Sequence, residues 1–192
     1  MMLQQAFDNM EQDCQQVFRT TLSALAEPLL PLTLPCLPAA LPGLKPATSA
    51  LLYTLIDQDV TLWAPALPAA TLASLRFHCA LRLADTPEQA DFILLPAGSS
   101  LPPLSSLRAG SPEYPDRSTT ILLEVEDFTP QQVEASGPGF ASPRRFGATG
   151  LPPAFWTQWQ ANHARFPLGV DVLLISATQL AGLPRSTVVQ EG

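Results

Sequence analysis

Apolar residues at Cys14, Val17, Phe18, Leu22 and Leu25 fall on one helical face, which predicts a helix from a cap at Asp13 to about Ala26, ended by Pro28. From residue 28 to about 46 the chain is rich in proline and reads as extended loop or edge strand. Pro46 sits where a helix can begin, and Ala50, Leu51, Leu55 and Ile56 give that helix an apolar face. Val60 to Ala64 reads as a short strand after the Asp57-Gln58-Asp59 turn, and Pro68 starts another helix that carries Leu72, Leu75 and Arg76. Thr86-Pro87-Glu88 marks a helix start or a turn. Asp91 to Leu95, bounded by Pro96 and Gly98, reads as a buried strand. Leu101 to Leu107 predicts a short helix, and Thr119 to Val125 and Gln132 to Ala135 predict two strands paired as neighbours. Pro152-Pro153 opens a helix through Phe155, Trp156 and Trp159 to about Ala164. Val170 to Ile175 has the unbroken apolar run of a central strand, and Leu180 to Leu183 and Thr187 to Val189 follow as short strands. The order predicts one α/β domain over residues 1–192, with three layers (α/β/α) and helices on both sides of a mixed sheet.

Composition narrows the classes of partner. Of 192 residues, 46% are hydrophobic and only 14% charged, against about 25% in an ordinary domain. Either part of the surface meets a partner, or neutral polar residues and proline cover it. The net charge is −7, nine of the ten cations are arginine, and Arg144-Arg145 is the longest basic run. A phosphate-backbone binder needs a basic face, so direct nucleic-acid binding is not expected. Cys14, Cys36 and Cys79 are odd in number and have neither disulfide-framework nor zinc spacing. Met1 to Cys14 is polar and acidic, unlike a signal peptide, and Leu29 to Leu44 is broken by prolines and cannot be a membrane helix. The expectation is a cytoplasmic protein away from the membrane.

No local motif names a reaction. The chain lacks the P-loop, the dinucleotide-binding glycine fingerprint and the nucleophile elbow. Gly137-Pro138-Gly139 reads as a structural turn before a phosphate nest, since proline removes a donor. His78 and His163 are far apart and have no metal-ligand spacing, which favours hydrogen-bonded structural histidines over an acid–base pair. Asp57 and Asp59 read as turn formers before cation ligands. Lys45, the only lysine, lies between Leu44 and Pro46, a poor position for a Schiff base to pyridoxal phosphate. Arg76, Arg117, Arg165 and Arg185 are the candidates for binding phosphate or carboxylate, with ion pairing inside the chain as the alternative.

Several strings are distinctive when taken together. They are the helix with Phe18-Arg19, Thr54 to Asp59 leading to Trp63, and Leu75-Arg76-Phe77-His78. Tyr114-Pro115-Asp116-Arg117-Ser118, Gly137 to Gly139, Phe166 to Asp171 and Leu183 to Thr187 complete the set. In this order and spacing the chain resembles, nearly end to end, the PhnH family, subunits of the bacterial carbon–phosphorus lyase core complex. FPLGVD followed by LPRST is the most specific part. Ala26-Glu27-Pro28-Leu29 departs from a proline-glycine turn of the family, and Phe140 from an isoleucine.

The resemblance implies a fold similar to the large domain of pyridoxal-phosphate-dependent transferases, without the cofactor site. It implies no cofactor in this chain, with ATP and a phosphonate as substrates of the complex. It further implies a homodimer that joins PhnG, PhnI, PhnJ and PhnL counterparts. With PhnG, PhnI and PhnL, such a subunit supports displacement of adenine from ATP by a phosphonate, giving alpha-D-ribose 1-methylphosphonate 5-triphosphate; PhnJ later breaks the carbon–phosphorus bond. Arg76, His78, Asp171 and Arg185 are then the candidates for a ligand or interface cluster, with Phe77, Phe166, Pro167, Gly169 and Pro184 shaping the fold or an interface. The alternatives are a free-standing dimeric protein binding a phosphorylated ligand through Arg76, His78, Arg117 and Arg185, and a scaffold without catalysis.

Overall fold

A computed structural model describes residues 6–191. Strands β1 (Leu32–Thr33), β2 (Thr61–Trp63), β3 (Arg82–Leu83), β4 (Phe92–Leu95), β5 (Thr120–Glu124), β8 (Asp171–Ile175) and β9 (Gln179–Leu183) form one mixed sheet. Its order is β1-β9-β8-β5-β4-β2-β3. β3, β2, β4, β5 and β8 run parallel, and β9 runs against both of its neighbours. A second, antiparallel sheet joins β10 (Val188–Glu191), β6 (Asp127–Ser136) and β7 (Arg144–Thr149).

Strand alternation divides the core in two. Leu94, Leu122, Leu173 and Ile175 point to one face, where helices α1 (Met10–Ala26), α2 (Pro46–Leu55) and α3 (Ala69–Cys79) bury their apolar sides. Ile93, Leu95, Ile121, Leu123, Val172 and Leu174 point to the other, beneath helix α4 (Phe155–His163) and the small sheet. The expected three layers are present, but helices do not supply the second face alone: β6, β7 and β10 share it with α4. The strands at residues 119–125 and 132–135 therefore do not pair. β5 lies between β4 and β8, whereas β6 leaves for the second sheet.

Other boundaries shift for local reasons. The cap of α1 is Asn9, whose side chain accepts the Gln12 N–H at 3.3 Å while Asp13 Oδ2 accepts the Asn9 N–H at 3.1 Å. The buried stripe of that helix runs through Val17, Thr21 and Ala24, which leaves Phe18 and Leu22 45% and 50% exposed. The expected helix at 101–107 is a single 3₁₀ turn, Leu104–Ser106, and Thr86-Pro87-Glu88 opens another, Pro87–Gln89.

The proline-rich segment supplies edge strand β1 and then crosses the helical layer. Leu41 N–H donates to Ser49 Oγ at 2.9 Å, and Thr71 Oγ1 donates to the Pro42 carbonyl at 2.7 Å. Wrapped in this way, α2 is buried from Ala47 to Tyr53, and its uniformly apolar sequence follows from that position. Its first turn has no side-chain cap of its own. Buried Glu124, at the end of β5, accepts the Lys45 N–H at 2.9 Å and the Thr48 hydroxyl at 2.6 Å. Lys45 Nζ donates to the Val125 carbonyl. Among the described residues no helix is long and apolar enough to cross a membrane.

Candidate functional site

The parallel strands β4, β5 and β8 begin side by side, and β9 ends beside them. Asp91 precedes β4, Thr119 precedes β5, Asp171 opens β8, and Pro184-Arg185 follows β9. The most distinctive strings of the sequence converge here. Arg185 donates its backbone N–H to Asp171 Oδ1 at 2.7 Å, Nε–H to the same oxygen at 3.1 Å, and Nη2–H to Oδ2 at 2.5 Å. Nη1–H donates to the Pro115 carbonyl at 2.9 Å, and Nη2–H also to Ser118 Oγ. The side chains of this pair are 13% and 22% exposed. Every nitrogen of the guanidinium is engaged, so Arg185 binds strand ends and a loop together and has little left for a ligand.

The preceding string has a matching purpose. Asn162 on α4 accepts the Val170 N–H and donates to the Val170 carbonyl, both at 2.9 Å. Gly169 lies against that amide with φ of +131°, and a Cβ there would stand 2.8 Å from Asn162 Oδ1. Gly169 N–H in turn donates to the Ala109 carbonyl at 3.0 Å. His163 Nδ1 lies 2.9 Å from the Arg185 carbonyl oxygen, so this histidine is hydrogen-bonded in the fold.

The loop that Arg185 holds is a tight hairpin over residues 108–119. Ala109 bridges Ser118, and Thr119 N–H donates to the Arg108 carbonyl at 2.9 Å. Ser111 and Tyr114 exchange backbone hydrogen bonds at 3.1 Å each way. Gly110 has φ of +78°, and a Cβ there would stand 2.7 Å from the Pro115 carbonyl oxygen, so the two arms close only on glycine. Arg117 lies over the Tyr114 ring, 4.2 Å from guanidinium carbon to centroid. Arg108 Nη1 reaches Asp91 Oδ1 at 2.7 Å.

Asp91 ties this hairpin to the sheet. Its Oδ2 accepts the Thr61 N–H at 2.9 Å and the Thr61 hydroxyl at 2.7 Å. Burial alone would raise the Asp91 carboxyl, but the Thr61 hydrogen bonds and the Arg108 guanidinium outweigh it and hold it below the usual carboxylate range. A depressed carboxylate stabilises the fold above its unfolded pKa, and that contribution is lost as pH falls through the folded value. Asp91→Asn is therefore expected to lower stability at neutral pH and to flatten its decline below about pH 4. Urea midpoints across the acid range check this, and parallel profiles for the two proteins would count against it.

Of the four candidate residues, the structure brings Asp171 and Arg185 together. Arg76 and His78 sit on the last turn of α3, the crossover between β2 and β3 at the sheet edge opposite β1. His78 meets the rings of Tyr53 and Phe77 edge-on at 5.5 and 4.9 Å, and Phe77 is 68% exposed. The sequence does not mark Asp91 and Arg108 as site residues, and marks Ser118 only as the end of a distinctive string: an Asp before a strand and an Arg in a loop look ordinary until topology pairs them. Asp57 accepts the Asp59 N–H at 2.8 Å, and Gly137 to Gly139 form the turn between β6 and β7, so both are structural turns. Burial, with Cys14 and Asp57 nearby, pushes the Cys79 thiol up to about 12, which leaves it protonated at neutral pH. Among the described residues no group of three His, Cys, Asp or Glu is placed to hold a metal ion.

Comparison with known proteins matches residues 5–190 to a family model described as bacterial phosphonate metabolism protein (PhnH). A protein of Rhizobium meliloti (strain 1021), named alpha-D-ribose 1-methylphosphonate 5-triphosphate synthase subunit PhnH, is 32% identical over 181 residues, 93% of this chain and 90% of that protein. HtxG of Stutzerimonas stutzeri, proposed as a C–P lyase subunit, is 31% identical over 176 residues, 90% of this chain and 84% of its own length.

Proposed function

Because the chain belongs to the PhnH family of bacterial phosphonate metabolism proteins, we propose that it acts as a subunit of a carbon–phosphorus lyase assembly in the cytoplasm. In this reading it joins PhnG, PhnI and PhnL counterparts in displacing adenine from ATP by a phosphonate, to give alpha-D-ribose 1-methylphosphonate 5-triphosphate. A PhnJ counterpart then acts on the carbon–phosphorus bond. The observation that carries the reading is the near end-to-end match to relatives named as such subunits. The site geometry is in keeping with it: the FPLGVD and LPRST strings meet in one part-buried fastening.

The reading extends to quaternary structure and fold. The chain is proposed to pair with itself as well as with its partners. A seven-stranded sheet with one reversed strand, β9, supports a likeness to the large domain of pyridoxal-phosphate-dependent transferases. Lys45 is tied through its backbone to Glu124 and through Nζ to Val125, a poor arrangement for a Schiff base to that cofactor.

Size exclusion with light scattering tests the proposal. After co-expression with PhnG, PhnI, PhnJ and PhnL counterparts, the chain is expected to co-elute with them in a fixed ratio. A chain that elutes alone beside an assembled remainder would overturn it, and would favour the free-standing phospho-ligand-binding protein.

A further inference from the structure

The 108–119 hairpin carries a shallow, solvent-open cleft of about 310 Å³ lined by Arg108, Ala109, Gly110, Ser111, Tyr114 and Arg117. Two arginines face this cleft in different states. Arg108 is neutralised through Nη1 by Asp91. Arg117 is held against Tyr114 by its ring contact, and among the described residues no carboxylate pairs with it. Its neighbours in sequence, Glu113 and Asp116, form no ion pair with it, and Glu113 Oε2 accepts the hydroxyl of the cleft-lining Ser111 at 3.2 Å. Arg117 is one of several arginines without an ion pair among the described residues, and its contact with the Tyr114 ring is what sets its position. Stacking also reduces the ordering cost of the side chain and leaves the donor edges of the fork open.

The walls are set in advance. The Gly110–Pro115 approach, the Ala109–Ser118 bridge and the Arg185 bonds to Pro115 and Ser118 fix the hairpin from three sides. A pre-set guanidinium at Arg117, beside an Arg108 whose charge Asp91 already balances, suits a compact phosphate-class anion with several acceptor oxygens. We propose that this cleft is a binding site for a phosphate-class dianion, with Arg117 as its principal ligand and Arg108 as the second wall. Phosphonate as the natural member of that class rests on the function proposed above; the anion site itself rests on the hairpin. Asp171 and Arg185 act on this site as positioning residues.

Calorimetric titration of the full chain with inorganic phosphate and with methylphosphonate, at mildly alkaline pH where both are dianions, tests the site. Both are expected to bind, more weakly as salt rises. Arg117→Ala is expected to weaken both by about ten-fold or more, the loss of charge-assisted hydrogen bonds, with an unchanged thermal midpoint. Arg145→Ala removes an exposed arginine elsewhere and is expected to leave binding as it was. Three results would each overturn the site: no binding by the unaltered chain, equal binding by Arg117→Ala, or equal weakening by Arg145→Ala. If the unaltered chain binds neither anion and Arg117→Ala abolishes co-elution with the partner subunits, the cleft holds a partner's carboxylate and the subunit reading survives without it.

Discussion

Arg185→Ala is expected to lose about 3 kcal/mol of stability, the lower end of the range for breaking a buried ion pair by removing one partner. The lower end applies because the two side chains keep 13% and 22% of their exposure. The cost has three sources. Asp171 remains at the head of β8 with its opposite charge gone, since Oδ2 loses Nη2 and Oδ1 loses Nε. The Pro115 carbonyl and the Ser118 hydroxyl lose their donors. The hairpin then hangs on its own backbone bonds, on the Gly169–Ala109 bond and on Arg108–Asp91. Urea unfolding measures the total, and a double-mutant cycle with Asp171→Asn isolates the pair, whose coupling should fall at about 1–3 kcal/mol. A loss below about 0.5 kcal/mol would place the pair with exposed ion pairs, which contribute little. Arg185→Lys keeps the charge but not the fork, and should recover only a minor part. Because the hairpin carries the proposed anion cleft, Arg185→Ala should weaken phosphate binding as well, whereas Arg117→Ala weakens binding without the loss of stability.

The elements that can be read along the chain are those whose information is local. Helix α2 begins at the expected Pro46, and β4, β5 and β8 fall within a residue or two of their apolar runs. What was hidden depends on partners distant in sequence. Arg144-Arg145-Phe146-Gly147 resembles a polar loop, yet it is the start of β7, paired to β6 with Phe146 turned into the core. Edge strand β3 has two exposed residues and so carries no burial pattern. Leu29 shows the same limit in reverse. It takes φ of +57° while fully buried. Such a backbone costs a leucine about 1 kcal/mol, which burial of its side chain offsets. The candidate cluster divided for a related reason: Asp171 and Arg185 belong to adjacent strand ends, whereas Arg76 and His78 belong to a crossover helix, and sequence order does not separate those cases.

The second layer is where tertiary packing has the most to lose, and Trp159 is its centre. This side chain is fully buried between α4 and the sheets, and its Nε1–H donates to the Thr187 carbonyl at 3.1 Å. It therefore joins the helix to the segment that leads from Arg185 into β10, in a core that also contains Phe155, Phe146 and Val189. Trp159→Ala removes the hydrogen bond and opens the largest cavity a single change can make, so a loss of about 3–5 kcal/mol is expected. Trp159→Phe keeps most of the packing and forfeits mainly the Thr187 bond, for about 1–2 kcal/mol. The difference between the two variants measures packing apart from the bond, and denaturant unfolding resolves both. The alanine variant should also loosen Asn162 on the same helix, which brackets Val170 beside the head of β8. Amide exchange would then rise at Val170 and Gly169 before it rises in β4 or β5. Uniform loss of protection across the main sheet would instead mean that the two layers unfold as one unit, and that the fastening at Arg185 takes its strength from α4 as much as from its own ion pair.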